Sequence, residues 1–244
     1  MQAIMLAAGV GARLGRADAP PKVLLEFGGR TLLARHIEIL RGAGLATLVL
    51  GVGYEAERIA AEVERLQAGD FVRLVRNPDY RKGSITTLWA LRDALRTGDS
   101  VLLMDADVLY DRRLIERLLA ARHPNCFLLD RDIEPGEEPV KLGIRGGVPV
   151  DFHRRLEVPC DFYGESVGFF RFSPETVRKI LGHAERRLKA GEENLWYEEA
   201  IRDAVRNEPA GAFGFEDVTG LPWVEIDFPE DVRKAEALLP ELLG

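Results

Sequence analysis

The sequence predicts an α/β fold with a mostly parallel central sheet and a smaller antiparallel β extension. Three observations predict it. Through residues 1–120, short apolar runs alternate with helical patterns in units of roughly 30 residues, as βαβ crossovers do. Several of these runs end at glycines or acidic residues, which is typical of the ligand-binding edge of an open sheet. After residue 121 the runs shorten, and Gly146-Gly147 stands in a hairpin-turn position.

The spacing of apolar residues divides the first half into alternating elements. Short apolar or β-branched runs predict four strands, at residues 3–7, 45–52, 71–75 and 101–104. Apolar residues at helical spacing predict three helices, at 31–42, 55–67 and 85–95. Because these strands alternate with helices, we expect their carboxyl ends to meet at one edge of the sheet.

The second half is richer in short strands. We predict strands at 127–129, 140–144, 148–152, 167–172 and 223–226. Ser173 is a suitable N-cap, and Pro174 suits the first turn of the helix that follows it. Further helices are predicted at 194–205 and 230–239. We see no linker, so residues 1–244 are predicted to form one domain with halves 1–120 and 121–244.

Composition excludes several functional classes. With 33 Lys+Arg against 40 Asp+Glu the net charge is −7, which argues against a nucleic-acid or anionic-membrane partner. No run approaches ~18 uncharged apolar residues, so membrane insertion is not predicted. Cys126 and Cys160 are too few for a disulfide framework, and a reduced, cytoplasmic setting is expected.

A glycine-rich loop follows the first predicted strand. Small residues and glycines there let backbone N–H groups approach phosphate oxygens. The family resemblance given below implies that Leu6, Ala7, Ala8, Gly9 and Gly11 contact the nucleotide. Arg13 and Lys22 then supply positive charge for a polyphosphate. The spacing matches neither the G-x-G-x-x-G dinucleotide fingerprint nor the P-loop, which argues against a dehydrogenase.

Carboxylates stand at two strand ends. Asp105 and Asp107 follow the strand at 101–104, and Asp227 follows the strand at 223–226. Such residues can be simple turn or capping residues. Carboxylate oxygens are also the ligands that Mg²⁺ prefers while it bridges phosphates. The sequence therefore predicts Mg²⁺ as the cofactor.

The pattern L-A-A-G-x-G-x-R-L…P-K resembles the signature of MobA-like and sugar-nucleotide NTP transferases. The run N-x-x-Y-x-x-x-S followed by D-A-D-V is similar to that of phosphocholine cytidylyltransferases. The resemblance implies a Rossmann-like, three-layer nucleotidyltransferase fold. It also implies that Arg13 and Lys22 are the catalytic cations around the triphosphate, that Asp107 and Asp227 share the metal, and that Asp105 lies beside the nucleotide.

The same resemblance implies CTP as the nucleotide. Tyr54, Asn77 and Ser84 fall where related enzymes read the base. For Ser84 a helix cap, and for Tyr54 simple loop packing, are the structural alternatives.

The second half is expected to hold the acceptor. By resemblance we predict acceptor contacts from Lys141, Glu165, Trp196, Tyr197 and Glu198. Aromatic faces beside a carboxylate suit an ammonium group, although Trp196 and Tyr197 could equally be core residues and Lys141 a surface residue. The family's second lysine is replaced near residue 154 by Arg154-Arg155, which leaves the acceptor phosphate contact open.

These observations predict a Mg²⁺-dependent cytidylyltransferase. It would transfer CMP from CTP to a small phosphorylated alcohol or phosphonate, of the phosphocholine or 2-aminoethylphosphonate type, and release pyrophosphate. Residues 1–120 would bind the nucleotide and 121–244 the acceptor, with a homodimer as the one protein partner to consider. The enzymatic alternative is an inositol-1-phosphate cytidylyltransferase or a sugar-1-phosphate nucleotidyltransferase. A catalytically inactive regulatory module would have lost Arg13, Lys22, Asp107 or Asp227, and all four are present.

Overall fold

A computed structural model describes residues 1–14, 20–133 and 139–243. The strands are β1 Gln2–Ala7, β2 Glu26–Phe27, β3 Arg30–Thr31, β4 Leu48–Val52, β5 Val72–Arg76, β6 Val101–Asp105, β7 Val108–Tyr110, β8 Cys126–Asp130, β9 Lys141–Arg145, β10 Val148–His153, β11 Phe162–Phe172, β12 Gly214–Asp217 and β13 Trp223–Glu225. The helices are α1 Leu32–Gly42, α2 Ala56–Arg65, α3 Ile85–Ala90, α4 Arg92–Leu95, α5 Arg113–Ala120, α6 Pro174–Lys189, α7 Glu198–Asn207 and α8 Pro229–Leu243. None of the described helices is long and apolar enough to cross a membrane.

One large sheet organises the chain, in the order β10-β9-β11-β6-β1-β4-β5, with β8 paired to both β11 and β12. Its centre is parallel, because β1 lies between β4 and β6 and β4 pairs with β5 in the same direction. The second half adds antiparallel strands to the same sheet, since β11 pairs with β6, β8 and β9, and β9 pairs with β10. The predicted fold class is confirmed.

Two apolar layers explain why the central strands read as continuous apolar runs. In β1, Ala3 and Met5 pack on one face of the sheet, while Ile4 packs on the other. Helices α1, α2 and α5 cover the first face, and α3, α4, α6 and α7 cover the second. A strand buried on both faces has no polar side to alternate with. The sheet is therefore the middle of three layers.

Several predicted boundaries shift, each for a contact reason. The helix expected at 85–95 is divided at Leu91, which separates α3 from α4. The helix expected at 194–205 begins only at Glu198, because Gly83 and Ile85 hold the preceding backbone through hydrogen bonds to the carbonyls of Glu193 and Leu195.

Two further corrections concern strands and one concerns the last helix. The strand expected at 167–172 starts five residues earlier, at Phe162, because its first half pairs with β9 while its second half pairs with β6. Strand β12 was not predicted; it lies parallel to β8. The last helix extends past 239 and contains Pro240.

A two-stranded ribbon carries the end of the chain back to the sheet edge. Strand β13 pairs antiparallel with β7, which places Glu225 opposite Val108. The amide of Ile226 then donates to the carbonyl of Asp107 at 2.9 Å. Because β7 directly follows the carboxyl end of β6, this pairing brings two distant segments together at the ligand-binding edge.

A buried ion pair fixes α7 against β10. Asp151 is fully buried and accepts hydrogen bonds from Arg202 at 2.9 and 3.3 Å. The backbone amide of Glu157 donates to the same carboxylate at 2.7 Å. Arg206, one helical turn further, pairs with the exposed carboxylate of Glu157 at 2.9 Å, and Arg202 also approaches that carboxylate at 3.1 Å. Of the two arginines, Arg202 alone contacts the buried Asp151 in the described part of the chain.

We expect Arg202→Met to lower the free energy of unfolding by about 3–5 kcal/mol, because it leaves the Asp151 carboxylate buried without its cation. The matched change Arg206→Met removes an exposed pair and should lower it by less than about 1 kcal/mol. Urea unfolding followed by circular dichroism measures both. Equal losses for the two variants would contradict the assigned role of the buried pair.

Candidate active site

A cleft of about 360 Å³ opens at the carboxyl edge of the parallel strands, and we call it the loop cleft. The glycine loop after β1, the turn after β6, the start of α7 and the end of β13 form its walls. Its lining includes Leu6, Ala7, Ala8, Gly9, Gly11, Arg13, Lys22, Ser84, Asp105, Asp107, Arg154, Trp196, Tyr197, Glu198, Glu225 and Asp227. The structure thus brings together in one cleft every residue predicted for the loop, its two cations and the carboxylates.

The glycine loop takes a conformation that depends on its small residues. Gly11 has a φ of +64°, a left-handed conformation that side chains disfavour. A Cβ at Gly11 would lie 3.3 Å from the Cγ of Lys22, so the loop also packs closely on that lysine. The carbonyl of Ala8 accepts the amide of Tyr54 at 3.1 Å, which ties the loop to the end of β4. These two contacts therefore fix the backbone conformation of the loop at the edge of the cleft.

Lys22 lies between two of the carboxylates. Its Nζ is 2.8 Å from Asp107 and 2.5 Å from Asp227. Arg13 approaches Asp227 as well, at 3.1 Å. Burial alone would lower the pKa of Lys22, but the charges of Asp107 and Asp227 outweigh it and raise that pKa above its ordinary value. Lys22 is consequently a permanent cation in this site.

The same charges act on Asp227. Burial would raise the pKa of the Asp227 carboxyl, but Lys22 and then Arg13 outweigh it and lower that pKa below its ordinary value. Asp227 therefore stays ionised, as a metal ligand must.

Asp107, Glu225 and Asp227 form a cluster whose ligand atoms all lie within 4.8 Å of one another. Three carboxylates at that spacing offer hard oxygen ligands of the kind Mg²⁺ takes. Desolvation by the surrounding protein, and then the negative charges of Asp107 and Asp227, raise the pKa of the Glu225 carboxyl well above its ordinary value. Such crowding of negative charge is relieved by a cation, so the residues present fit a divalent ion.

Glu225 was not predicted as a site residue. It precedes Asp227 by two positions, and residues two apart on an extended strand point to the same side. That spacing was the signal that could have found it.

A second cleft, of about 420 Å³, adjoins the first, and we call it the acidic cleft. The described residues give it eight carboxylates and two cations: Asp105, Asp130, Asp132, Glu165, Glu198, Glu225, Asp227, Asp231, Arg154 and Lys234. Aromatic residues line it too, including Phe152, Phe170 and Trp223. Trp223 donates its indole N–H to Asp130 at 2.7 Å, which orients both side chains. The cleft therefore combines negative charge with aromatic surface.

The two clefts share residues at their junction. Asp105, Arg154, Tyr197 and Glu198 line both. The hydroxyl of Tyr197 donates to Asp105 at 2.8 Å, and its backbone amide donates to the Ser84 hydroxyl at 2.9 Å. Burial, with Asp107 and Glu198 nearby, raises the pKa of Asp105 well above its ordinary value. Asp105 and Tyr197 thus form a hydrogen-bonded pair where the two clefts meet.

Arg154 occupies the position where the sequence left the acceptor contact open. Its guanidinium lies 3.7 Å from the centre of the Trp196 ring and 3.9 Å from a carboxylate oxygen of Glu198. The Nε of Arg154 and Oε2 of Glu198 are both buried without a hydrogen-bond partner among the described residues. Buried polar atoms of this kind need partners, so the junction is prepared for a polar ligand.

Some predicted residues lie differently from their expected roles. Trp196 lines the loop cleft rather than the acidic cleft, because the segment before α7 is held to the Gly83 loop. Asn77 is 2% exposed, and its side-chain amide donates to the hydroxyls of Thr86 and Thr87. It therefore stabilises the segment before α3 instead of facing a ligand. Lys141 donates to the backbone carbonyl of Arg154, one of the junction residues, at 2.9 Å.

Two other predicted residues have plain positions. Glu165 lies on β11 and lines the acidic cleft, where an acceptor residue was expected. Tyr54 follows β4, and its backbone amide donates to the glycine loop. It is not among the described residues that line either cleft.

Comparison with known proteins agrees with this architecture. The sequence model of the MobA-like NTP transferase domain matches residues 3–156, more than half of the chain. This match identifies the class of domain as an NTP transferase domain. The chain belongs to the MobA-like NTP transferase domain family.

Individual relatives match along nearly the whole chain. It is 31% identical over 97% of its length to the CMP-5'-(3-aminopropyl)phosphonate synthase of Streptomyces rubellomurinus. It is 30% identical over 97% of its length to the bifunctional IPC transferase and DIPP synthase of Rubrobacter xylanophilus. The chain spans only 38% and 51% of the lengths of these two relatives. The solved CTP:phosphocholine cytidylyltransferase of Streptococcus pneumoniae shares the fold, with a TM-score of 0.78 at 22% identity over 98% of each chain.

Glu198 should titrate unusually in the metal-free protein. Burial raises the pKa of its carboxyl to about 7, although Arg154 opposes the shift. Carbon-13 NMR of labelled glutamate, with Glu198→Gln to assign the signal, measures this pKa. The change Arg154→Gln should raise it further, because it removes a charge that favours the carboxylate. A Glu198 signal that titrates near the usual value of about 4.3 would contradict the described junction.

Proposed function

We propose that the protein is a Mg²⁺-dependent cytidylyltransferase that transfers CMP from CTP to a short phosphate or phosphonate bearing an amine, and releases pyrophosphate. One observation carries the proposal: a cleft with cations and a glycine loop meets a cleft rich in carboxylates, and the junction lies beside the Asp107–Glu225–Asp227 cluster. The first cleft suits a polyphosphate, and the second suits an ammonium group.

The nucleotide side rests on the loop and its cations. Gly9 leaves open space around its backbone in the described part of the chain, and Gly11 keeps the loop in its left-handed turn. Arg13 and Lys22 supply positive charge for the triphosphate. In the proposal, residues 1–120 provide most of this side, while Asp105 and Ser84 border the nucleotide.

The metal belongs with Asp107 and Asp227, and we add Glu225 as a third holder. A divalent ion bound there would neutralise charge on the phosphates. Lys22 and Arg13 already contact these carboxylates. Arrival of a cation and a triphosphate would free both side chains to turn to phosphate oxygens, so the cations that balance the carboxylate cluster would become the ones that hold the leaving group.

The transfer itself needs no general base. An acceptor phosphate is largely dianionic at pH 7, since its second pKa is about 6. Its oxygen forms a bond to the α-phosphorus as the bond from that phosphorus to the bridging oxygen breaks, and pyrophosphate leaves with the electron pair. Positioning and electrostatics carry such reactions. Arg154, at the junction of both clefts, is placed to hold the acceptor phosphate against the α-phosphate.

The acceptor's other end would lie in the acidic cleft. Glu165, Asp130 and Glu198 line it. An ammonium group on a short chain would pair with a carboxylate and pack against the aromatic wall. The Streptomyces relative is named for an aminopropylphosphonate, and the name supports an acceptor of this class. Among the described residues, Asp105 is the one residue of the range 1–120 that lines the acidic cleft. Residues 121–244 therefore supply the acceptor side in this proposal.

Pyrophosphate release tests the proposal. We would combine four nucleoside triphosphates with 2-aminoethylphosphonate, 3-aminopropylphosphonate, phosphocholine, inositol 1-phosphate and glucose 1-phosphate. Propylphosphonate, which lacks the amine, is the matched control. Release is expected with CTP and an amine-bearing acceptor, and propylphosphonate should be much poorer. Equal use of propylphosphonate, or preference for a polyol or sugar phosphate, would overturn the acceptor assignment.

The carboxylate cluster should bind Mn²⁺, used as a calorimetric probe for Mg²⁺. We expect Asp227→Asn and Glu225→Gln each to weaken Mn²⁺ binding by at least about tenfold, the loss that even outer-shell partners cause. Glu230→Gln changes an exposed carboxylate nearby and should leave the affinity unchanged. Unaltered affinity in Glu225→Gln would remove that residue from the metal site.

Lys22→Met should lower kcat/KM for CTP on the order of 10²-fold, because it removes a positioned cation from the transition state. Lys189→Met, on the exposed end of α6, is the control that removes the same charge elsewhere. Steady-state kinetics with saturating acceptor measures both variants. An unchanged kcat/KM in Lys22→Met would refute its assigned role.

A further inference from the structure

A third cavity, of about 390 Å³, lies apart from the two clefts, and we call it the Arg35 cavity. It lies between α1, β7 and the end of α8, and its lining includes Arg30, Arg35, His36, Ile39, Tyr110 and Arg112. None of these six residues lines the loop cleft or the acidic cleft. Pockets that hold small molecules span about 300–1,000 Å³, so the size is sufficient for one.

Three arginines face this cavity, and two of them are paired. Arg30 lies 2.5 Å from the carboxylate of Glu38, and Arg112 lies 3.6 Å from that of Glu116. Arg35 differs, because no carboxylate pairs with it among residues 1–14, 20–133 and 139–243. Among the described residues, Glu38 and Glu116 are the carboxylates in the lining, so the three arginines leave these residues with one net positive charge.

Arg35 is also incompletely hydrogen-bonded. It is 9% exposed, and one Nη donates to the carbonyl of Phe27 at 2.5 Å. Its Nε is buried without a partner among the described residues. Burial, and then the charge of Arg30, lower the pKa of the guanidinium below its ordinary value, although the charge of Glu38 opposes the shift. A buried donor of this kind is stabilised when an anion accepts from it.

The rest of the wall is apolar or neutral. Leu32, Ile39 and Leu109 line it. His36 is 1% exposed, and burial lowers its pKa to about 4, so it carries no charge at pH 7. Its ring nitrogens are 3.4 Å from the Tyr110 hydroxyl and 3.0 Å from the carbonyl of Ala106. The histidine therefore adds no second charge to the cavity.

We propose that the Arg35 cavity is a separate binding site for a small organic carboxylate, with the carboxylate on Arg35 and an apolar body against Leu32, Ile39 and Leu109. One negative charge matches the one net positive charge, whereas a phosphate dianion would exceed it. The cavity also touches the active site's backbone, because His36 contacts the carbonyl between Asp105 and Asp107. The site needs neither CTP nor a particular acceptor, so it stands independently of the proposed function.

The probe is 4-bromobenzoate, and 4-bromobenzamide is its neutral counterpart of similar shape. Calorimetry on the whole protein should show saturable binding of the carboxylate, and binding of the amide should be weaker by about tenfold or more. Saturating CTP with Mg²⁺ should not displace the carboxylate. A soaked crystal should show the bromine anomalous peak in the Arg35 cavity.

Two variants complete the test. Arg35→Gln should weaken 4-bromobenzoate binding by about tenfold or more, while Arg13→Gln, in the loop cleft, should leave it unchanged. If Arg35→Gln fails to fold, the bromine peak and the amide comparison in the unaltered protein decide. Displacement by CTP, equal binding of the amide, or a bromine peak outside the cavity would each overturn the proposal.

Discussion

Three carboxylates are held within 4.8 Å of one another at the edge of the sheet, and much of the site is arranged around that constraint. Two like charges 4 Å apart repel by about 4 kcal/mol at an effective dielectric constant near 20. The pairing of β13 with β7 nevertheless forces Glu225 and Asp227 toward Asp107. Lys22, bridging Asp107 and Asp227, supplies the compensating charge.

This balance links stability to chemistry. Lys22 neutralises Asp107 and Asp227, and a divalent cation bound by these carboxylates would make that charge unnecessary. In the proposed function, Asp107, Glu225 and Asp227 would hold the cation, and Lys22 and Arg13 would turn to the phosphates. Arg154 completes the arrangement from the other side, because it lies where the two clefts meet and has a buried donor with no partner among the described residues. Charge is therefore redistributed rather than newly created when substrates bind.

The sequence predicted the parallel strands of the first half because apolar runs are local signals, but it missed β7 and α5. The glycine loop and Asp107 follow the ends of β1 and β6, while Arg13 and Lys22 were implied by the resemblance, and the structure places all of them in one cleft. Glu225 escaped prediction because its proximity to Asp107 depends on a pairing between segments more than 100 residues apart. Arg154 depends similarly on how β10 meets α7. Asn77 differs in the other direction: it was predicted to contact the nucleotide because it follows a strand, but it is buried and hydrogen-bonds to Thr86.

We expect a divalent cation to replace Lys22 between Asp107 and Asp227 when a triphosphate binds. A crystal structure with Mn²⁺ and a non-hydrolysable CTP analogue would reveal this replacement. An anomalous manganese peak is expected at coordinating distance from Asp107 and Asp227, with Nζ of Lys22 moved onto a phosphate oxygen. Manganese bound elsewhere, or Lys22 still bridging both carboxylates with the triphosphate in place, would contradict it.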